Sequence, residues 1–221
     1  MILDLGIIDY SVALKLQHEL VDKRRLEVIP DSVMVVEHPS VFTIGRSGSR
    51  KNLLIEEEVL AARQIKVIDV DRGGDITFHS PGQLIIYPIV DLKKRTRDLH
   101  KYLSDLEDVA INFLQRYGVE GRRDTDRTGV WVSDRKIASI GVAARDWVTY
   151  HGLSINVNND TSFFSMINPC GIKGLKVTSL SELLNKKITM NSAKRTLLDE
   201  FGKLFKLERA KPVHEFSAAV A

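Results

Sequence analysis

A chain of 221 residues, 43% hydrophobic and 28% charged, is long enough to bury one full core, so a single domain is the expected organisation. Its one cysteine excludes an internal disulfide framework, and a net charge of +3 with only 7% aromatic residues argues against a nucleic-acid partner, which needs a denser basic stripe with stacking aromatics. The opening Met1-Ile2-Leu3-Asp4-Leu5 lacks the basic and apolar segments of a signal peptide and no apolar run is long enough to span a bilayer, which predicts a soluble, cytoplasmic protein without membrane contact.

In chain order, residues 2–8 read as a first strand, and residues 11–27 as a helix in which Ala13, Leu16 and Leu20 recur at helical spacing. Residues 32–37 and 41–44 read as strands broken at His38-Pro39, and residues 66–70 and 84–87 as two more. The clearest helix covers 98–117: Leu99, Tyr102, Leu103, Leu106, Val109, Ala110, Phe113, Leu114 and Tyr117 make one apolar face, with Asp98 as N-cap and Gly118 as the stop. That face reads as core. Residues 129–132 and 136–144 then form a hairpin turned at Ser133-Asp134-Arg135, followed by a strand at 150–157 and helices at 179–184 and 191–205. Most strands lie mid-chain with short connections, which predicts an α+β domain over residues 1–207 with a mixed, largely antiparallel central sheet flanked by helices. The polar, Ala-rich residues 208–221 are expected to be a disordered tail. Lys93-Lys94-Arg95-Thr96-Arg97 and Arg122-Arg123 are basic clusters that read as solvated surface, or as a rim that steers an acidic protein.

Four segments carry features that folding alone does not demand. Cys170 sits between Pro169, which fixes the preceding backbone, and Gly171, which clears space beside it, as suits a thiol that must be reached. The run Asp71-Arg72-Gly73-Gly74-Asp75-Ile76-Thr77-Phe78-His79-Ser80-Pro81-Gly82-Gln83 looks like a binding loop: adjacent glycines let backbone amides approach a ligand, while Arg72, Thr77 and His79 add directed polar contacts. Gly73-Gly74 and Pro81-Gly82 are equally compatible with simple turns, and the spacing matches neither common phosphate-cradling motif. In Lys136-Ile137-Ala138-Ser139-Ile140-Gly141, small side chains at Ala138, Ser139 and Gly141 leave a slot wide enough for an alkyl chain, with a lysine at its mouth that partial desolvation would make a usable base. An ordinary hairpin lysine is the plainer reading of Lys136 alone. In His151-Gly152-Leu153-Ser154-Ile155-Asn156-Val157, glycine again lets a strand pass close to something.

Together these segments resemble one family. The order R-G-G-x-x-T-[aromatic]-H-x-P-G-Q (72–83), G-V-W-V (129–132), K-I-A-S-I-G (136–141), H-G-L-[small]-x-N-V (151–157), and P-C-G-I (169–172) followed by V-T-S-L (177–180) looks like lipoyl(octanoyl) transferase. Five ordered motifs spread over most of the chain are far more specific than any one of them. One position departs: Ser80 stands where the family usually has glycine.

The resemblance implies the mixed-sheet fold of biotin and lipoate protein ligases. It implies a catalytic Cys-Lys dyad, Cys170 as acyl-thioester nucleophile and Lys136 as the partner that favours its thiolate. It also implies that the acyl group lies against Arg72, Gly73, Gly74, Asp75, Ile76, Thr77, Phe78 and His79, against Ser139, Ile140 and Gly141, and against Gly152, Leu153 and Ser154. No metal, ATP or other cofactor is implied: octanoyl-acyl carrier protein delivers the acyl group on its phosphopantetheine arm. The acceptors implied are apo lipoyl domains of 2-oxoacid dehydrogenases and the glycine cleavage H protein. His79 reads as ordering its loop, since a lysine already fills the base role.

Three other readings use the same residues. An ATP-dependent lipoate or biotin ligase would need no cysteine nucleophile; a thiol hydrolase would use His79 or His151 as base, neither with an evident carboxylate or amide orienter in the sequence; and a module that only binds acylated carriers would tolerate loss of Cys170.

Overall fold

A computed structural model describes residues 1–169 and 174–206. Cys170 and the expected tail at 208–221 lie outside the described residues. The first half contains β1 (Ile2–Ile7), α1 (Tyr10–Arg25), β2 (Ser32–Glu37), β3 (Val41–Ile44), α2 (Glu57–Ala62), β4 (Lys66–Asp69), β5 (Ile76–His79) and β6 (Gln83–Ile89). The second contains α3 (Leu99–Gln115), β7 (Val130–Val132), β8 (Arg135–Arg145), β9 (Val148–Asn156), α4 (Leu180–Leu184) and α5 (Met190–Phe205).

The main sheet runs β1-β2-β6-β9-β8-β7, with β1 and β2 parallel and every other neighbour antiparallel. A second sheet, β4-β3-β5, has one parallel and one antiparallel pair. This is the α+β architecture that the strand distribution predicts. The break at His38-Pro39 does more than interrupt a strand: it moves the chain from the main sheet to the small one.

Alternation along the strands sorts the core. On β2 and β6, Val33, Val35, Leu84 and Ile86 face α3 and α5 and meet Leu106, Phe113, Leu197 and Phe201. The intervening Met34, Val36, Ile85 and Tyr87 face α1 and meet Ala13, Leu20 and Val21. Both faces are covered, which is why these strands are apolar without interruption. The helices start where polar caps allow: Asp9 accepts from Ser11 N–H, and Asp98 from the N–H groups of His100 and Lys101. Gly118, at φ 72°, follows α3 as predicted. Among the described residues no helix is long and apolar enough to cross a membrane.

Three details differ from the sequence reading. Helix α2, one short turn and a half, is absent from the sequence reading, although Glu, Leu and Ala are strong helix formers and Glu57 and Glu58 suit its first turn. The run 71–83 is not all loop, because Ile76–His79 pairs with β3. The β7–β8 turn uses only Ser133 and Asp134, since Arg135 already pairs with Val132 and Ser133 takes φ 54°. Pro81-Gly82 is a turn: Gln83 N–H donates to Ser80 O at 3.1 Å, Gly82 has φ 87°, and a side chain there would meet Asn159 N at 2.8 Å. Ser80 is outside the left-handed region, so its side chain imposes no backbone strain there.

Candidate active site

The site is built on the β8–β9 pair. Register sets Ser139 opposite Ser154 and Gly141 opposite Gly152, with Ile85 of β6 beside Ser154. Small side chains at these positions leave a cavity of about 640 Å³ over the sheet. Part of the slot expected from Ala138, Ser139 and Gly141 is filled by protein. Ala138 is buried in the α3-facing core. At Gly141 the loop from β4 crosses so closely that a Cβ would lie 2.9 Å from Gly73 O and 3.0 Å from Arg72 Cδ. Gly73 N–H donates to Val142 O at 2.8 Å, which fastens this loop to β8.

Arg72 is buried and anchors the loop to the small sheet, its Nη2 donating to Thr43 O at 2.8 Å and Thr43 Oγ1 at 2.9 Å. Behind it lies a cluster of ionisable groups from distant parts of the chain. His151 takes φ 54°, unusual within a strand, and its Nε2 is 2.8 Å from Asp71 Oδ1, while Tyr150 OH donates to Asp71 Oδ2 at 2.6 Å. The His151 hydrogen bond, above all, holds the Asp71 carboxyl well below the usual carboxylate range, and burial pushes His151 itself down. A neutral His151 that donates Nε2–H to Asp71 satisfies both. His151 thus has a carboxylate orienter after all, one that sequence distance conceals. His38 bridges Ile8 O and Tyr87 OH, at 2.7 Å each, and burial lowers its pKa to about 4. Burial likewise lowers His79 to about 3 and raises Tyr10 to about 12.

Lys136 is the second residue of β8 and is 4% exposed. Its Nζ donates to Thr128 O at 3.1 Å and lies 5.0 Å from the centre of the Trp131 ring. Gly129 is required here: it has φ 136°, and a Cβ would lie 2.7 Å from both Lys136 Cε and Ala138 O. Glu107 of α3 accepts from Gly129 N–H at 2.9 Å and so fixes the strand that wraps the lysine. On its other side Lys136 N–H donates to Lys176 O at 2.8 Å and Lys136 O accepts from Thr178 N–H at 2.9 Å, a parallel bridge with Val177.

Lys136, Arg72, Gly73, Gly74, Asp75, Ile76, Thr77, His79, Ser139, Ile140, Gly141, Gly152, Leu153 and Ser154 all border the one cavity. Phe78 does not: strand alternation turns it into the small core, where it packs on Phe42 and Phe163. Asp75 borders the cavity but its carboxylate is engaged by Asn52 Nδ2 and the N–H groups of Ser49 and Ile76. The candidate nucleophile Cys170 lies outside the described residues, yet its neighbour Pro169 is in the cavity wall. His151, which opens the H-G-L segment, also lines the space, as do Tyr10, Tyr87, Leu99 and Leu103, and nothing in the sequence singles out those last four for it. The two leucines read as core because an apolar residue at helical spacing looks the same whether it fills a core or walls a cavity.

The family model described as lipoyl protein ligase A/B catalytic domain matches residues 9–202. An octanoyltransferase of Rubrobacter xylanophilus is 47% identical over 198 residues, 89% of this chain and 89% of its own. One from Geobacter metallireducens is 43% identical over 201 residues, 91% of each chain. Among solved structures, lipoate-protein ligase A bound with ATP superposes with a TM-score of 0.77 at 13% identity, over 97% of this chain and 89% of the other. A bi-partite lipoate protein ligase from Thermoplasma acidophilum gives 0.76 at 13% identity, over 97% and 87%. Those two likenesses establish the fold. With identity above 40% along nine-tenths of its length, the chain belongs to the octanoyltransferases, within the lipoyl protein ligase A/B catalytic family.

Proposed function

We propose that this protein moves an octanoyl group from octanoyl-acyl carrier protein to the ε-amine of a lysine on apo lipoyl domains, through a thioester on Cys170. In the first half-reaction the Cys170 thiolate attacks the donor thioester, with the Lys136 ammonium as its counter-charge; the carbon–sulfur bond to the phosphopantetheine arm breaks, and the leaving thiolate takes a proton from Lys136, which is left as the neutral amine. One thioester replaces another, so little free energy is lost. In the second, the acceptor amine attacks the acyl-enzyme, its surplus proton passes to Lys136, and Cys170 thiolate is released. Thioester becomes amide, which runs downhill without ATP. The acyl chain occupies the cavity over Ser139 and Ser154, between the Arg72 loop and the sheet.

One observation carries the dyad. Pro169, the residue before Cys170, is in the wall of the same cavity as Lys136, and residues 176–178, shortly after Cys170, are hydrogen-bonded to the Lys136 backbone. Octanoyltransferase relatives support the activity. The test is an intact mass spectrum after mixing the protein with octanoyl-acyl carrier protein without ATP, then again after adding an apo lipoyl domain. An octanoyl adduct that maps to Cys170, is absent in Cys170→Ala and moves to the domain is the expected result. Modification of the domain only when ATP and free octanoate or lipoate are supplied would instead establish the ligase reading.

A further inference from the structure

Three buried amide and imidazole side chains form one directed chain of hydrogen bonds that begins beside the acyl cavity and ends on Lys136. Gln83 Nε2 donates to Phe78 O at 3.1 Å and to Asn156 Oδ1 at 2.9 Å, so its Oε1 is the acceptor facing His79 Nδ1 at 2.6 Å. Asn156 Oδ1 also accepts from Asn159 Nδ2 at 3.1 Å, and Asn156 Nδ2 donates to Thr178 O at 3.1 Å. Thr178 N–H then donates to Lys136 O at 2.9 Å. Gln83 is 1%, Asn156 5% and Thr178 0% exposed. Polar groups this deep are tolerated only when paired, and an apolar pair would fill the same space more simply. Their arrangement does something an apolar pair cannot: it grips a backbone carbonyl in the segment that borders Lys136.

We propose that Asn156, supported by Gln83, is a positioning residue that holds the 176–178 segment, and through it Lys136, in register with the His79 end of the cavity. The proposal rests on the reading of Lys136 as the proton acceptor. Asn156 touches neither substrate nor the reacting atoms; it acts by fixing where the lysine begins and where the chain returns from residues 170–173.

Asn156→Asp provides a test that loss of packing would not mimic. While neutral, the introduced carboxyl reproduces the whole pattern, one oxygen accepting from Gln83 and Asn159 and the other donating its proton to Thr178 O. Once ionised, it sets an acceptor against that carbonyl and pushes the segment away. Among the described residues, the ionisable groups tied into this network are His79 through Gln83, Glu182 through Thr178, and Lys136 at its end, and all are common to the parent protein. At about pH 8 the variant is expected to lose about a hundredfold in kcat, the usual cost of displacing a catalytic group by an ångström or so, with KM for the octanoyl donor little changed. Its kcat relative to the parent should recover as pH is lowered, and Asn156→Leu, melting as a folded protein, should be slow at every pH. A flat ratio across pH, or parental kcat in folded Asn156→Leu, overturns the proposal. Lys136→Ala is run alongside: if it stays active, the role of Lys136 falls and the proposal with it, whereas an inactive Lys136→Ala beside a flat Asn156→Asp ratio removes the coupling alone.

Discussion

Gly129→Ala adds a methyl group where the structure has no room for one. Its carbon would lie 2.7 Å from Ala138 O, 2.7 Å from Lys136 Cε and 3.1 Å from Lys136 Nζ. Ala138 O belongs to the backbone of β8, paired on both sides, and cannot retreat; the end of the lysine can. The alanine must also adopt φ 136°, outside the usual range for any residue with a side chain. Backbone strain of about 1–3 kcal/mol adds to overpacking of about 1–3 kcal/mol, so a loss of at least about 2 kcal/mol is expected, within what a domain of this size survives. Displacing the lysine should cost about a hundredfold in octanoyl transfer. Gly118→Ala is the comparison: φ is 72°, but no atom lies within 4 Å, so it should cost only about 1 kcal/mol and leave transfer alone. Urea titrations of both variants, with transfer rates measured where each is folded, decide the matter. Parental transfer in folded Gly129→Ala, or equal destabilisation by the two substitutions, would refute the claim that this glycine exists to clear Lys136.

The buried histidines predict an acid limb of stability. Folded His38 and His79 titrate at about 4 and about 3 because burial disfavours their charge, whereas in the unfolded chain each titrates near 6.5. Below that value the unfolded chain holds more protons, so stability is complete above about pH 6.5 and falls by about 1.4 kcal/mol per pH unit for each histidine as pH drops toward the folded values. Urea titrations across this range should show His38→Gln with a shallower slope by one proton; parallel curves would contradict it. Gly141→Ala should lift the Arg72–Gly73 loop from β8 and raise KM for the octanoyl donor more than it lowers kcat, and steady-state kinetics showing the reverse would place the loop's role elsewhere. Lys136→Arg keeps the positive charge but cannot accept a proton, so the mass-spectral assay should show transfer to the lipoyl domain abolished; normal transfer would exclude Lys136 as the base.

Helix α3 and the β7–β8–β9 meander are legible in the sequence because their cues are local: a cap at Asp98, nine apolar residues on one helical face, alternation bounded by turn residues. Other features are hidden by their neighbours. Strand β5 is four residues long between Gly73-Gly74 and Pro81-Gly82, both of which read as turn. The β8–β9 turn is made by Asp146 and Trp147 at φ 48° and 68°, and no propensity places a tryptophan there. In the site, glycine and small-residue positions can be read as sites of close approach, but not what would approach. At Gly141 it is the Arg72–Gly73 loop, and at Gly152 it is the backbone of β6, where a Cβ would meet Ile86 O at 2.4 Å. The Tyr10–His38–His79–Tyr87–His151 cluster draws on α1, the β2–β3 connection, β5, β6 and β9, so no window of sequence contains it.

The fold cannot by itself say whether the acyl group arrives as a thioester or is activated on the enzyme. Lipoate-protein ligase A, solved with ATP, shares this architecture at a TM-score of 0.77 with 13% identity, so the same sheet and helices accommodate different side chains almost everywhere. The distinction lies in a few positions that the scaffold holds still. A lysine is buried at the start of β8 by Gly129 on one side and by the returning 176–178 segment on the other. That return brings the chain after Cys170 back to the lysine that precedes it by 34 residues in sequence. The parallel bridge between Lys136 and Val177 ties the start of β8 to the backbone seven residues after Cys170. In the proposed mechanism such rigidity serves both half-reactions, because the same lysine faces a thiolate in one and an incoming amine in the next.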